Sequence, residues 1–141
     1  CLLGADMVLE TVDSLENGSL TPLPQNHRGI TRAPKLSKED GRIDWSQSAV
    51  LINNRIRGFN PFPGAFTTLA EQPLKVHCAQ PTEGMGAPGQ VIQADPRNGL
   101  LVACGQGALS LKSVQLPGKA PMEISAFLLG NPIAAGTCLG D

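Results

Sequence analysis

The sequence predicts a mainly β domain, a small antiparallel barrel preceded by a helix. Three observations lead there. From Pro61 onward, short runs with period-two alternation replace helical spacing. Sixteen glycines and twelve prolines among 141 residues imply more turns than a helical bundle accommodates. Five or so short strands within residues 46–141 must also hide their edges, which at this size favours a closed or nearly closed sheet.

The elements follow in order. Over residues 5–17, Ala5, Val8, Leu9, Val12 and Leu15 fall on one stripe, and Gly18 supplies a C-terminal stop. So short a helix is unstable alone, so its stripe needs a partner. No neighbouring stretch supplies one. The chain also opens CLLGAD, without Met and partway into an apolar pattern. Residues 1–18 therefore read as a helix belonging to a preceding domain, which the resemblance given below implies is the last helix of an α/β domain. Residues 19–45 read as an inter-domain linker, polar and punctuated by Pro22, Pro24 and Pro34.

The domain proper is expected over 46–141. Ser46 is the predicted N-cap of a helix through Arg57, with Gly58 as its stop. Ala49, Ile52, Asn53 and Ile56 share one side, and Arg55 lies off it. AFTTLA (65–70) and LKVHCA (74–79) flank a turn at Glu71-Gln72-Pro73, with Leu74, Val76 and Cys78 facing one way and Lys75 and His77 the other. QVIQA (90–94) and LLVACG (100–105) flank a tight turn signalled by Asn98-Gly99. In ALSLKSVQL (108–116) the alternation breaks at Ser113, which predicts a bulge. A short helix is expected between Met122 and Gly130. An OB-like barrel accommodates this set best, with a small β-sandwich second.

Composition narrows function. Net charge is −1, but it is uneven. Residues 1–18 carry Asp6, Glu10, Asp13 and Glu16 and no base, leaving all eleven Lys/Arg against eight of the twelve Asp/Glu. Cys1, Cys78, Cys104 and Cys138 form no CxxC pair, which excludes a standard zinc motif and leaves reduced, mostly buried thiols. No apolar run is long enough to span a membrane. The only histidines, His27 and His77, lack nucleophilic or acidic partners in any catalytic spacing, and GQG at 105–107 is a turn. No complete active site is expected in this chain, and no metal site. Bases gather at Arg28, Arg32, Lys35, Lys38 and Arg42, at Arg55 and Arg57, and singly on strands. Strands lacking exposed aromatics make a solvated surface the first reading of charge alone and a nucleic-acid groove the second.

The stretches LETVDSLENGSLTPLPQ (9–25), APKLSKEDGRIDW (33–45) and IRGFNPFPGAF (56–66) resemble methionyl-tRNA formyltransferases essentially end to end. The resemblance implies a parent enzyme that carries a formyl group from 10-formyltetrahydrofolate to the amino group of methionine on initiator tRNA. It implies that catalytic and folate-binding residues lie in a preceding domain, so the fragment alone is inactive and holds no cofactor. It also implies a cytoplasmic bacterial-type protein, organellar if from a eukaryote. The OB-like domain and linker would contact tRNA. Lys35, Lys38 and Arg42 are the first candidates for phosphate contacts. Arg55 and Arg57 stand beside them, Arg57 alternatively pairing with Asp44 or finishing its helix. Val8, Leu9, Val12 and Leu15 would meet the catalytic domain. The alternative is a structural domain of a related formyltransferase acting on a sugar nucleotide, without RNA contact.

Overall fold

The computed structural model describes residues 2–140. The chain divides into two units, one up to Pro34 and one from Lys35 onward.

In the first unit, α1 (Leu2–Glu16) is one turn longer at its start than the stripe predicts. Gly18 adopts a left-handed φ of 71°, as a helix stop requires. None of its residues is buried, and Val8, Leu9, Val12 and Leu15 are exposed. Residues 19–34 contain no helix or strand.

The second unit begins at Lys35 rather than at the expected Ser46. The reason is burial: Gly41, Ile43 and Trp45 alternate inward while Arg42 and Asp44 stay outside. A 3-10 turn, Glu39–Gly41, opens this stretch. The Ile43 amide then donates to the Phe66 carbonyl at 2.8 Å, and the Trp45 indole Nε1 donates to Thr67 Oγ1 at 3.0 Å.

Helix α2 (Ala49–Gly58) is capped by Ser48, not Ser46. Ser48 Oγ accepts from the Leu51 amide, whereas Ser46 Oγ donates to Asp44. The orphan Ala49 amide goes to the Gln106 carbonyl at 3.0 Å. Ala49, Ile52 and Ile56 are buried on the sheet, as their spacing predicts.

The strands are β1 (Ala65–Leu69), β2 (Gln72–Thr82), β3 (Val91–Asp95), β4 (Gly99–Ala103), β5 (Ala108–Gln115) and β6 (Met122–Glu123), followed by α3 (Ile124–Gly130). All pair antiparallel, in the order β1-β2-β5-β4-β3, with β6 also on β5. The mainly β architecture is therefore as predicted. The ladders themselves form an open sheet with β1 and β3 at its edges. The C-terminal segment bonds to both edges: Val91 donates to Thr137, Leu139 to Gly89, and Gly140 to Thr68. Leu74, Val91, Leu100, Val102, Leu109, Leu111, Val114 and Phe127 form the centre of the core. Each such side chain contributes about 1.5–3 kcal/mol of burial.

The first hairpin turns at Ala70-Glu71, one residue earlier than expected. Both have positive φ, the geometry that suits the strands' right-handed twist. The second turn occupies residues 96–98, with Gly99 at φ 90°. Asp95 Oδ1 closes it by accepting from the Arg97 and Asn98 amides.

The irregularity predicted at Ser113 exists on both partners. Val76 pairs with Val114, Cys78 with Ser113, and Ala79 with Leu111, so His77 and Lys112 are each an extra residue. The bulge reverses the phase of β2. Cys78 is exposed, opposite to its expected side with Leu74 and Val76. Cys138 is exposed too, and only Cys104 of the described thiols is buried. Burial raises the Cys104 thiol to about 11.

Two glycines permit close backbone approach. A Cβ on Gly41 would meet the Gly64 carbonyl, and one on Gly105 would meet the Ser46 carbonyl. Gly105 also donates to the carbonyls of Trp45 and Gln47. Gly41→Ala or Gly105→Ala is expected to cost about 1–3 kcal/mol by overpacking. Gly58→Ala, which meets nothing within 4 Å, should be neutral or stabilising. Urea unfolding curves compare the three. In a labelling experiment with iodoacetamide at pH 8, Cys78 and Cys138 should react in the folded protein, and Cys104 only after unfolding.

Candidate nucleic-acid interface

Of the expected basic residues, Lys38, Arg42 and Arg55 meet at one turn. Ser37 begins it: its amide and hydroxyl both donate to Asp40 Oδ2, at 2.6 and 2.8 Å. The Gly41 amide returns to the Lys38 carbonyl at 3.1 Å. Lys35 and Lys38 are exposed, Lys38 immediately before the 3-10 turn. The turn holds Lys38's backbone while leaving its ammonium in solvent, which suits a contact with a phosphate.

Arg42 and Arg55 are differently employed. Arg42 Nε lies 3.6 Å from Glu39 Oε2, and its guanidinium sits 5.2 Å over the Phe66 ring. Arg55 Nη2 donates to the Asp40 carbonyl at 3.2 Å, with its guanidinium 5.4 Å from the Phe59 ring centre. Arg55 therefore ties α2 to the turn that carries Lys38. Arg57 is exposed in the last turn of α2, where a cation favours the helix dipole. Its pairing with Asp44 does not form. Among the described residues the one ion pair is Arg42–Glu39, and Asp44 instead accepts from Ser46 and Gln47.

Two carboxyls in this region are shifted. Asp40 is held below its ordinary value first by the Ser37 amide and then by the Ser37 hydroxyl, with Arg55's charge a smaller cause. Asp44 is lowered chiefly by the Ser46 hydroxyl, then by Gln47 and the Ser46 amide. In the joint after α2, Phe62 projects into solvent, while Phe59 and Phe66 are half-buried.

Sequence reasoning noted Lys75 only as an isolated strand base. In the sheet it stands directly between Phe66 on β1 and Gln115 on β5, on the outer face. The signal was present: Leu74 and Val76 point inward, so Lys75 must point out. No group of three His, Cys, Asp or Glu among the described residues could hold a metal ion. Among the described residues no helix is long and apolar enough to cross a membrane.

An antiparallel sheet flanked by α2 and α3, with a linker entering beside β1, is the architecture of a formyltransferase accessory domain. The chain belongs to that family: residues 35–132 match the formyl transferase C-terminal domain. Across almost its whole length it is similar to named methionyl-tRNA formyltransferases. It is 47% identical to that of Acidiphilium cryptum over 138 residues, 98% of this chain and 43% of that one. It is 49% identical to that of Stutzerimonas stutzeri over 121 residues, 86% of this chain and 38% of the relative. The chain thus spans less than half the length of these curated relatives. Among solved structures, HypX from Aquifex aeolicus in complex with tetrahydrofolic acid shares the fold. That likeness has a TM-score of 0.58 and 24% identity, over 87% of this chain and 22% of HypX.

The carboxyl shifts give a pH dependence with a definite sign. Asp40 and Asp44 bind protons less readily folded than unfolded, so their contribution is fully present above the ordinary value of 3.8 and is lost as pH falls through the lower folded values. Asp40→Asn should flatten the acid limb of stability below that pH. Ser37→Ala should move the Asp40 carboxyl back upward, read by carbon-detected NMR titration.

Proposed function

We propose that this chain is the C-terminal, RNA-facing part of a methionyl-tRNA formyltransferase. The parent enzyme would transfer a formyl group from 10-formyltetrahydrofolate to the amino group of methionine carried on initiator tRNA. The observation that carries the reading is similarity at 47% identity over 98% of the chain to an enzyme of that name. The basic turn at Lys35–Arg42 supports it, because it offers cations on a rigid support facing solvent.

In this reading the chain contributes binding rather than chemistry. Lys35 and Lys38 meet phosphates of the tRNA as point charges, which position the RNA without reading its sequence. Arg42 adds charge at the edge of the same surface. Arg55 holds the turn in place, and Arg57 extends the basic surface along α2. Folate and the catalytic groups belong to the preceding domain, against which the stripe Val8, Leu9, Val12 and Leu15 would pack. The protein would act in the bacterial cytoplasm.

Lys35→Ala with Lys38→Ala in the full-length enzyme should weaken initiator tRNA binding and make its salt dependence shallower by about 0.7–0.9 per lysine on a log–log plot. Folate binding should be unchanged. Equal loss of both would indicate misfolding. A wild-type enzyme that binds no tRNA even at low salt, but turns over a sugar nucleotide, would overturn the proposal.

A further inference from the structure

On the outer face of the sheet lies a groove of about 320 Å³. Its floor is a row of three residues paired across three strands: Phe66 on β1, Lys75 on β2 and Gln115 on β5. One wall is Lys38, Glu39 and Pro63; the other is Leu116, Pro117 and Gly118. Both walls are fixed. The first is closed by the Ser37–Asp40 bonds and by Arg55. The second is tied by Gln115, whose Nε2 donates to the Lys119 carbonyl at 2.6 Å. Since that amide donates, its Oε1 accepts, and His77 Nε2 at 2.8 Å supplies the proton.

The chemistry of the lining is mixed in a particular way. Lys38 and Lys75, far apart in sequence, bring two ammonium groups to one groove. Its single carboxylate, Glu39, faces Arg42 at 3.6 Å. The rest of the lining is largely apolar, from Phe66, Pro63, Pro73, Leu116 and Pro117, with the Gln115 amide beside Lys75. Two cations among apolar side chains complement an anion attached to a flat, weakly polar body. The volume is at the lower end of the range for small-ligand sites.

We propose that this groove takes one unpaired nucleotide of the bound RNA, its phosphate between Lys38 and Lys75 and its base on the proline- and Phe66-lined floor. Resting on the tRNA reading above, it adds a subsite and a residue, Lys75. Unpaired bases are the part of a folded RNA that can leave the stack and lie on such a surface. A free nucleoside phosphate shares the chemistry. RNA is the occupant to which the groove commits, because Lys35, three residues before Lys38 and outside the groove's lining, adds a further exposed cation on the same segment for a neighbouring phosphate.

The test uses the full-length protein with Lys75→Ala, Lys38→Ala, the double variant and Lys75→Arg. Expected for Lys75→Ala is a roughly three- to tenfold loss of initiator tRNA affinity at moderate salt, with a salt slope shallower by about 0.7–0.9. Lys75→Arg should restore most of it. The double variant should lose less than the product of the singles, because both cations grip one phosphate. Cytidine monophosphate should shift the amide signals of Lys38, Phe66, Lys75 and Gly118, and inorganic phosphate only those of Lys38 and Lys75. Three results would overturn the subsite while leaving tRNA binding intact. One is unchanged tRNA affinity in Lys75→Ala, another is full additivity, and the third is identical shifts from nucleotide and phosphate. Absence of tRNA binding by the wild type would fell the underlying reading instead, and a free nucleotide that still binds would mark the groove as a small-ligand site.

Discussion

The side chain of Trp45 is the point on which the second unit depends. Its indole N–H is satisfied by Thr67 on β1, and its carbonyl accepts from Gly105 in the turn between β4 and β5. Gly89 and Gly140 lie against its ring, close enough that a Cβ on either would touch it. Four segments remote in sequence therefore meet at one buried residue. A large aromatic supplies much apolar area, and its single polar atom must find a partner once buried. Thr67, itself buried, is that partner, so neither polar group is left orphaned. Within the second unit, the turn that bears Lys38 leads directly into this anchor.

Much of this was readable in the sequence because it was local. Period-two runs located five strands, and helical spacing located the buried side of α2. The broken alternation near Ser113 marked a real bulge. What it could not reveal was the partner's response. The extra residue on β5 is answered by His77 on β2, and that answer turns Cys78 outward. Pattern within one strand carries no information about compensation in its neighbour. The N-cap was displaced for a similar reason. Ser46 and Ser48 are equivalent locally, but the contacts of 45–47 with Gly105 decide where the helix can begin.

The interface was legible in part. The run of bases before Trp45 was visible, and the family resemblance drew attention to Lys35 and Lys38. Charge counting could not separate cations facing solvent from those already engaged. Arg42 and Arg55 look equivalent to the lysines in composition, yet each lies over an aromatic ring and contacts the turn itself. Planar, delocalised guanidinium suits such stacked structural work, and the compact ammonium suits the exposed rim. Lys75 went unweighted because its significance comes from strand register, which places it beside residues remote in the chain.

The segment 136–140 bonds to β3 at Val91, to Gly89 just before it, and to β1 at Thr68. This pairing has a kinetic meaning. Loop closure over such separations is slow, and it must follow formation of the two edges it joins. During synthesis β1 could already be bonded at Phe66 by Ile43, but Thr68 and the β3 edge at Val91 would stay open until the chain around Gly140 had left the ribosome. For that interval the nascent domain presents unsatisfied strand edges to its surroundings. A few residues of irregular backbone thus decide how long this domain remains vulnerable to mispairing before it is complete.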